Sequence, residues 1–273
     1  FCYQPPIGPL VDGLASRLEV ARDSVIDYGF HLVVTHLHAG NVGELDEICA
    51  AGVSSFKAYT AYARRNLFAD DGTLFRLFSH CARLGALPLV HAENGMVNDV
   101  LIETARANGT LEVTQHPRTH PEASEIEATR RVIAIAAIAE ASVYVVHVSC
   151  AGALEAIKEA RQDGQTVFAE TCPHYLLLDS SLYDRPSAEA IRFVVNPPLR
   201  PASSQPVLWE ALAAGAVDLI ATDHSSFNLE QKALGANDFA NVPNGIPGIE
   251  HRLALLFDEG VRRGRLSLER WVD

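Results

Sequence analysis

The sequence predicts an α/β fold of parallel strands, of the barrel type, and three observations predict it. Apolar strand-like runs alternate with amphipathic helical stretches along the whole chain. The strand runs are apolar on both faces, as strands must be when helices cover one side and a core fills the other. Several runs end on a side chain of metal-ligand type, Lys57, His91, His147 or Asp223, at the place where parallel α/β folds build their sites. That last feature points to a metal-dependent hydrolase.

Taken in order, the strand candidates are FHLVVT (30 to 35), VSSFKAY (53 to 59), LPLVH (87 to 91), SVYVVH (142 to 147), TVFAE (166 to 170) and DLIATD (218 to 223). Each is short, rich in β-branched or aromatic residues and bounded by turn formers. The helices predicted between and after them cover 42 to 51, 70 to 84, 95 to 108, 121 to 140, 150 to 163 and 249 to 264. Apolar side chains there recur at i, i+3 and i+4, which gives one buried face. IRFVVN (191 to 196) is also apolar, but Pro197 and Pro198 follow it and cannot donate ladder hydrogen bonds. It reads as part of a long loop entering the site. The stretch 224 to 248 is long, polar and rich in Gly and Pro, and loops of that length inside a compact domain are usually functional. With no internal repeat and no break in composition, residues 1 to 273 read as one domain.

The balance of 22 Lys+Arg against 34 Asp+Glu gives a net charge of -12, which disfavours a phosphate backbone or an anionic membrane as partner. No uncharged apolar run approaches the ~18 residues needed to span a bilayer, and no signal peptide is visible. The five cysteines form no CxxC pair and most sit in helical or strand patterns, so disulfides are not expected, and with no signal peptide or membrane span the cytoplasm is the default compartment. The chain starts at Phe1 and its one methionine is Met96, so a fragment of a longer protein is expected.

Imidazole is the commonest metal ligand, yet a single His at a strand end is more often a satisfied core or surface residue. His91 and His147 occupy matching contexts, each closing an apolar run ahead of small or polar residues, and both should point into one barrel mouth. Asp223 closes DLIAT in the same way. Capping the following turn is its ordinary reading, whereas beside two His strands it suits a general base that later returns its proton to a leaving nitrogen. Lys57 is unexpected inside a barrel, where burial favours the neutral amine. A neutral amine can add carbon dioxide and become a carbamate bridging two metals ~3.5–4 Å apart. A Lys that snorkels to solvent or pairs with a carboxylate is the plainer reading. His36 and His38 form an HxH pair whose spacing alone invites a metal reading, although both fall in the loop beyond Thr35.

The stretches DYGFHLVVT, GVSSFKAYTAY, VHAENG, VVHVSCAGALEAI, AETCPHYLLLD, NPPLR, ATDHSSFN and PNGIPGIEHRL run in one order along nearly the whole chain, and with them the sequence resembles the D-hydantoinases and dihydropyrimidinases, cyclic amidohydrolases of the amidohydrolase superfamily. The resemblance implies a (β/α)8 TIM-type barrel with two divalent metals, usually zinc, bridged by a carboxylated lysine and a hydroxide. On matching positions, Lys57 would be the N6-carboxylated bridge, His91 and His147 would bind the second metal, and Asp223 would bind the first metal and shuttle the proton. Tyr62 would stabilise the oxyanion. Asn196 and Asn244 would hydrogen-bond the cyclic amide or imide. Without the resemblance, Tyr62 would pass for a packing aromatic and the two asparagines for turn residues.

The family's first-strand HxH motif has no counterpart here, and FCY resembles the end of the second barrel strand, so an incomplete barrel lacking its first strand is expected. His36 and His38 align after the third strand, where the family has no ligands, and are a look-alike. The chain also stops at LSLERWVD, short of the C-terminal part of full-length relatives, and a fragment lacking both ends is expected to be inactive alone. Asn196 stands where hydantoinases usually have Ser, and NPPLR with CPHY resembles allantoinases and dihydroorotases, whereas PNGIPGIEHRL and SFKAYTAY favour the hydantoinase branch. The expected activity is therefore opening of a hydantoin or dihydropyrimidine ring, with allantoinase or dihydroorotase activity as the near alternative. A non-catalytic assembly protein of the same fold is the rival from another class, and the intact set Lys57, His91, His147 and Asp223 speaks against it. Relatives are commonly tetramers, which makes a homo-oligomer the expected state.

Overall fold

The computed structural model describes residues 1–5 and 8–272. Seven strands, β1 (Cys2–Tyr3), β2 (Leu32–Val33), β3 (Ser55–Tyr59), β4 (Leu87–His91), β5 (Val143–Val145), β6 (Val167–Thr171) and β7 (Leu219–Ile220), pair in sequence order, and every pairing is parallel. Helical segments separate successive strands, as parallel neighbours require a crossover. Among the described residues no ladder joins β7 to β1, so the sheet is a (β/α) barrel left open at the position of one strand.

The period of two along the strands divides the side chains between two cores. Phe56, Ala58, Val90, Val143, Val145 and Ala169 point outward into the larger core. There they meet Leu45 and Ile48 of the helix Glu44–Ala50, Leu74, Leu77 and Phe78 of the helix Asp71–Leu84, Val132 and Ala136 of the helix Glu122–Ile138, and Leu154 and Ile157 of the helix Ala151–Gln162. Leu89, Tyr144 and Val146 form a small separate cluster, and the register places Lys57 beside Leu89 and Leu89 beside Tyr144. Lys57 thus belongs to the inward-facing set.

Local signals explain the helix ends. Asp70 caps the helix Asp71–Leu84 by accepting from Thr73 N at 2.7 Å, and Gly85 ends it at φ 68°, a left-handed conformation that glycine adopts without steric cost. Asn94 caps the helix Gly95–Ala107 through Val97 N at 3.2 Å.

Three expectations about elements need correction. The segment 249 to 264 is not one regular helix but a short α-helix, Arg252–Leu256, continued by a π-helical turn, Phe257–Arg262. The helices Leu10–Ala21 and Ser204–Ala213 were not expected. In the first, only Leu10 and Leu14 are buried, so its apolar periodicity is faint. The outer runs 30 to 35 and 218 to 223 form ladders only at Leu32–Val33 and Leu219–Ile220. IRFVVN enters a loop, as expected, through the 3₁₀ turn Ile191–Phe193. No helix of the described residues is long and apolar enough to cross a membrane.

Candidate active site

Lys57, Tyr62, His91, His147, Asn196, Asp223 and Asn244 all line one cavity of about 210 Å3 at the C-terminal ends of the strands. Lys57 lies inside β3 and His91 ends β4, while His147 and Asp223 sit just beyond β5 and β7. Tyr62, Asn196 and Asn244 come from the loops that roof the mouth. The sequence therefore brings together residues as distant as Lys57 and Asn244.

Backbone conformation marks the same places. Only five described non-glycine residues have a positive φ, and three of them are Tyr62 at 67°, His147 at 41° and Asp223 at 43°. Left-handed backbone is unfavourable for such side chains and persists where surrounding contacts over-determine it, which happens most often at functional sites. The kink turns each side chain off its strand or loop toward the cavity.

The two imidazoles face each other, with His91 Nδ1 2.9 Å from His147 Nε2. On its other side His91 presents Nε2 to Glu93 Oε2 at 2.9 Å. A carboxylate can only accept, so this contact places the His91 proton on Nε2 and leaves the Nδ1 lone pair directed at His147. His147 Nδ1 is buried without a hydrogen-bond partner among the described residues. Burial, reinforced by the neighbouring His91 and Lys57, pushes the His147 pKa well below the ordinary value and keeps the ring in the neutral form that ligates metals.

Lys57 is 2% exposed. Burial lowers its amine pKa to about 8, and the nearby Glu170 and Asp223 carboxylates only partly oppose the fall. Asp223 is shifted the other way: burial raises its carboxyl pKa, with Lys57 and His91 pulling it down in part. The amine is thereby moved toward its neutral form and the carboxyl toward its acid form, a pairing suited to proton exchange. Burial and the Glu93 charge raise Tyr62 well above a normal phenol, so its hydroxyl stays a donor.

Small residues and hydroxyls hold this frame. Thr60 Oγ1 donates to Glu93 O at 2.7 Å and accepts from Glu93 N at 3.1 Å, locking the end of β4 to the loop after β3. A Cβ on Gly95 would lie 2.3 Å from Ala61 Cα, so only glycine lets the helix start press against the Tyr62 loop. Gly245 N donates to Val194 O at 3.0 Å, which ties the loop of Asn244 to that of Asn196. Beneath them runs a buried polar network that sequence reasoning missed. Arg200 pairs with Glu125 at 2.7 Å, donates to Ser149 Oγ at 2.9 Å and donates to His120 O at 2.7 Å. It anchors the NPPLR loop to the segment that carries His147. Glu93 was also missed, although its place two residues after a strand-end His could have drawn notice.

His36 and His38 stay outside. His36 contacts Gln4 and Thr35, and His38 Nδ1 accepts from Gly40 N at 3.0 Å. Neither lines the cavity.

The residues present fit a divalent metal on one condition. His91 Nδ1 and His147 Nε2 are separated by 2.9 Å, near the roughly 3.3 Å edge of a tetrahedral site with metal–nitrogen bonds of about 2.0–2.1 Å. Among the described residues no three His, Cys, Asp or Glu side chains converge on a cation position. The pair would therefore need a further ligand of another kind, for which Lys57 lies in the same cavity.

No family model matches the chain. A D-hydantoinase of Geobacillus stearothermophilus is 45% identical over 253 residues, covering 92% of this chain and 53% of that protein. A D-hydantoinase of Streptomyces coelicolor is 39% identical over 275 residues, covering 100% of this chain and 58% of that protein. Among solved structures, a dihydropyrimidinase from Brevibacillus agri superimposes with a TM-score of 0.97 at 44% identity, covering 100% of this chain and 60% of its own. The chain spans 53% to 58% of these two curated relatives. Identity at this level over 92% to 100% of the chain, joined to the same fold, shows the family. The chain belongs to the D-hydantoinase/dihydropyrimidinase family of cyclic amidohydrolases.

Proposed function

We propose that this protein hydrolyses a C–N bond of a cyclic amide, opening a hydantoin or dihydropyrimidine ring. The observation that carries the reading is the convergence of Lys57, His91, His147 and Asp223 on one cavity, with Tyr62, Asn196 and Asn244 on its rim. The barrel region, residues 1 to 273, acts in it as a single domain. Lys57 as an N6-carboxylate, His91, His147 and Asp223 would hold two divalent metal ions, and the nitrogen donors favour Zn2+. When bound, these ions supply Lewis acidity toward the scissile carbonyl and make water acidic enough to attack at neutral pH.

The chain's own residues do the rest. Asp223 takes the proton of the attacking water and delivers it to the leaving ring nitrogen, a cycle its raised pKa assists. Tyr62 donates its hydroxyl to the oxyanion that develops on the carbonyl oxygen. Asn196 and Asn244 orient the ring through hydrogen bonds to its amide or imide edge. Carboxylation of Lys57 replaces a poorly solvated ammonium by an anion and consumes the neutral amine that burial favours. A cytoplasmic homo-oligomer, a tetramer as among relatives, completes the reading, and exposed Ile249, Leu253 and Phe257 offer apolar surface for self-association.

Steady-state assays on the complete, metal-loaded protein with hydantoin, dihydrouracil, allantoin and dihydroorotate test this. Turnover of the first two is expected, with Asp223→Asn reducing kcat by at least a thousandfold. Normal activity in that variant overturns the proton shuttle. Turnover of only allantoin or dihydroorotate moves the assignment to those substrates.

A further inference from the structure

The loops of Asn196 and Asn244 are not held alike. Residues 193 to 199 are pinned from several sides. Tyr183 Oη donates to Phe193 O at 3.2 Å, Tyr175 Oη donates to Pro197 O at 2.7 Å, and His116 Nε2 lies 2.9 Å from Val195 O. Asn244 belongs to the long stretch after β7, and its loop leans on that frame. Gly245 N donates to Val194 O at 3.0 Å, and on the far side Ser225 N donates to Ile246 O at 3.3 Å.

Lys232 makes a further tie. Its Nζ donates to Val194 O at 2.8 Å and to Pro243 O at 2.6 Å, so one ammonium reaches from two residues before Asn196 to the residue just before Asn244. It also lies 5.6 Å from the centre of the Phe227 ring, four residues beyond Asp223. The helix Leu229–Ala233 fixes where the side chain starts, because Asn228 and Gln231 cap it reciprocally. Lys232 is 3% exposed, and no carboxylate pairs with it among the described residues. Burial lowers its amine pKa to about 8. A buried cation without a counter-ion is costly, and a methionine of similar length would fill the space without that cost. What the ammonium supplies and a methionine does not is N–H donors to carbonyls on two separate loops.

We propose that Lys232 is a positioning residue: by gathering Val194 O and Pro243 O onto one ammonium, it sets Asn244 against Asn196 at the mouth of the active-site cavity. The proposal rests on the cyclic-amide reading, in which these two residues meet the ring, and adds to it a residue that does not itself line the cavity. Because Asn244 meets a ring edge that substrate and transition state share, misplacing it weakens the binding of both alike. The consequence is a higher KM with little change in kcat.

The test pairs steady-state kinetics on hydantoin and dihydrouracil with hydrogen–deuterium exchange of the same complete, metal-loaded preparations. Lys232→Met keeps a long unbranched side chain and loses every donor. In it KM should rise about fivefold or more for both substrates, with kcat within about threefold of wild type. Exchange should quicken about tenfold or more at residues 242 to 246 alone, leaving 193 to 199 and β4 protected as before. Lys232→Arg, which keeps a cation with N–H donors, should bring both readouts back toward wild type. If Lys232→Met does not fold, Lys232→Gln carries the same comparison, since its shorter amide cannot span both carbonyls. An unchanged KM, unchanged exchange at 242 to 246, protection lost across the whole barrel, or defects that Lys232→Arg shares in full each overturn the positioning role. Local loss of protection in a protein whose wild type opens neither ring keeps the clamp and sinks the cyclic-amide reading. Turnover by wild type with an unaltered KM in Lys232→Met does the reverse.

Discussion

His91 Nδ1 and His147 Nε2 lie 2.9 Å apart although 56 residues separate them in the chain. Each imidazole reaches the contact from the end of a different strand. The left-handed backbone at His147 is part of that construction.

If this pair is half of a metal centre, either ring is indispensable to it. His91→Ala and His147→Ala in the complete protein should each lower bound metal from two equivalents per chain to about one. Mass spectrometric metal analysis after exhaustive dialysis reads this directly. Two equivalents retained in both variants would remove the pair from the ligand set.

Glu93 holds His91 by Nε2, the nitrogen turned away from His147, at 2.9 Å. Partners of this kind fix the tautomer and orientation of a ligand, and their loss typically weakens metal affinity by about 10–100-fold. Glu93→Gln keeps the size and a hydrogen-bonding oxygen but removes the charge that selects the tautomer. Competition with a chromogenic chelator should show the weakening, and unchanged affinity would reduce Glu93 to a packing role.

Arg200 and Glu125 form an ion pair in which each side chain is 4% exposed. Removing one partner strands a buried charge, which costs about 3–5 kcal/mol. Arg200→Met should therefore lower the unfolding free energy by that amount in urea titrations. Arg200→Met with Glu125→Leu should recover part of the loss, because the double change removes the stranded charge. Equal stability of wild type and single variant would show that water reaches the pair.

Much of this was legible in the chain and some was not, for physical reasons. LPLVH forms β4 with unchanged bounds, because a strand covered on both faces is apolar at every position and its polar terminus stands out. His91, His147 and Asp223 could be picked out for the same reason, a polar group closing such a run having no solvent-facing purpose, and Lys57 as a charged residue within one. Glu125, Ser149 and Arg200 gave no such signal, since a buried network is satisfied by partners up to 80 residues away and each member alone looks like a surface residue. The π-helical turn at Phe257–Arg262 leaves no clear mark in apolar spacing.

The last prediction concerns Lys57 before it is carboxylated. In the folded chain burial holds its amine pKa at about 8, below the ordinary 10.5. Between those two values the unfolded chain binds a proton that the folded chain does not, so stability rises with pH across this window. Below about 8 both states are protonated and the full cost of the buried ammonium is present, as much as roughly 3 kcal/mol. Metal-free protein kept free of carbon dioxide should therefore gain urea resistance from pH 8 to 10.5. Tyrosines and cysteines titrate over part of the same range, so the quantity to measure is the difference from Lys57→Met, which carries no such proton. A pH dependence identical in the two proteins would mean that the Lys57 amine reaches water. In that case the same amine would also lose its bias toward the neutral form that carbon dioxide requires.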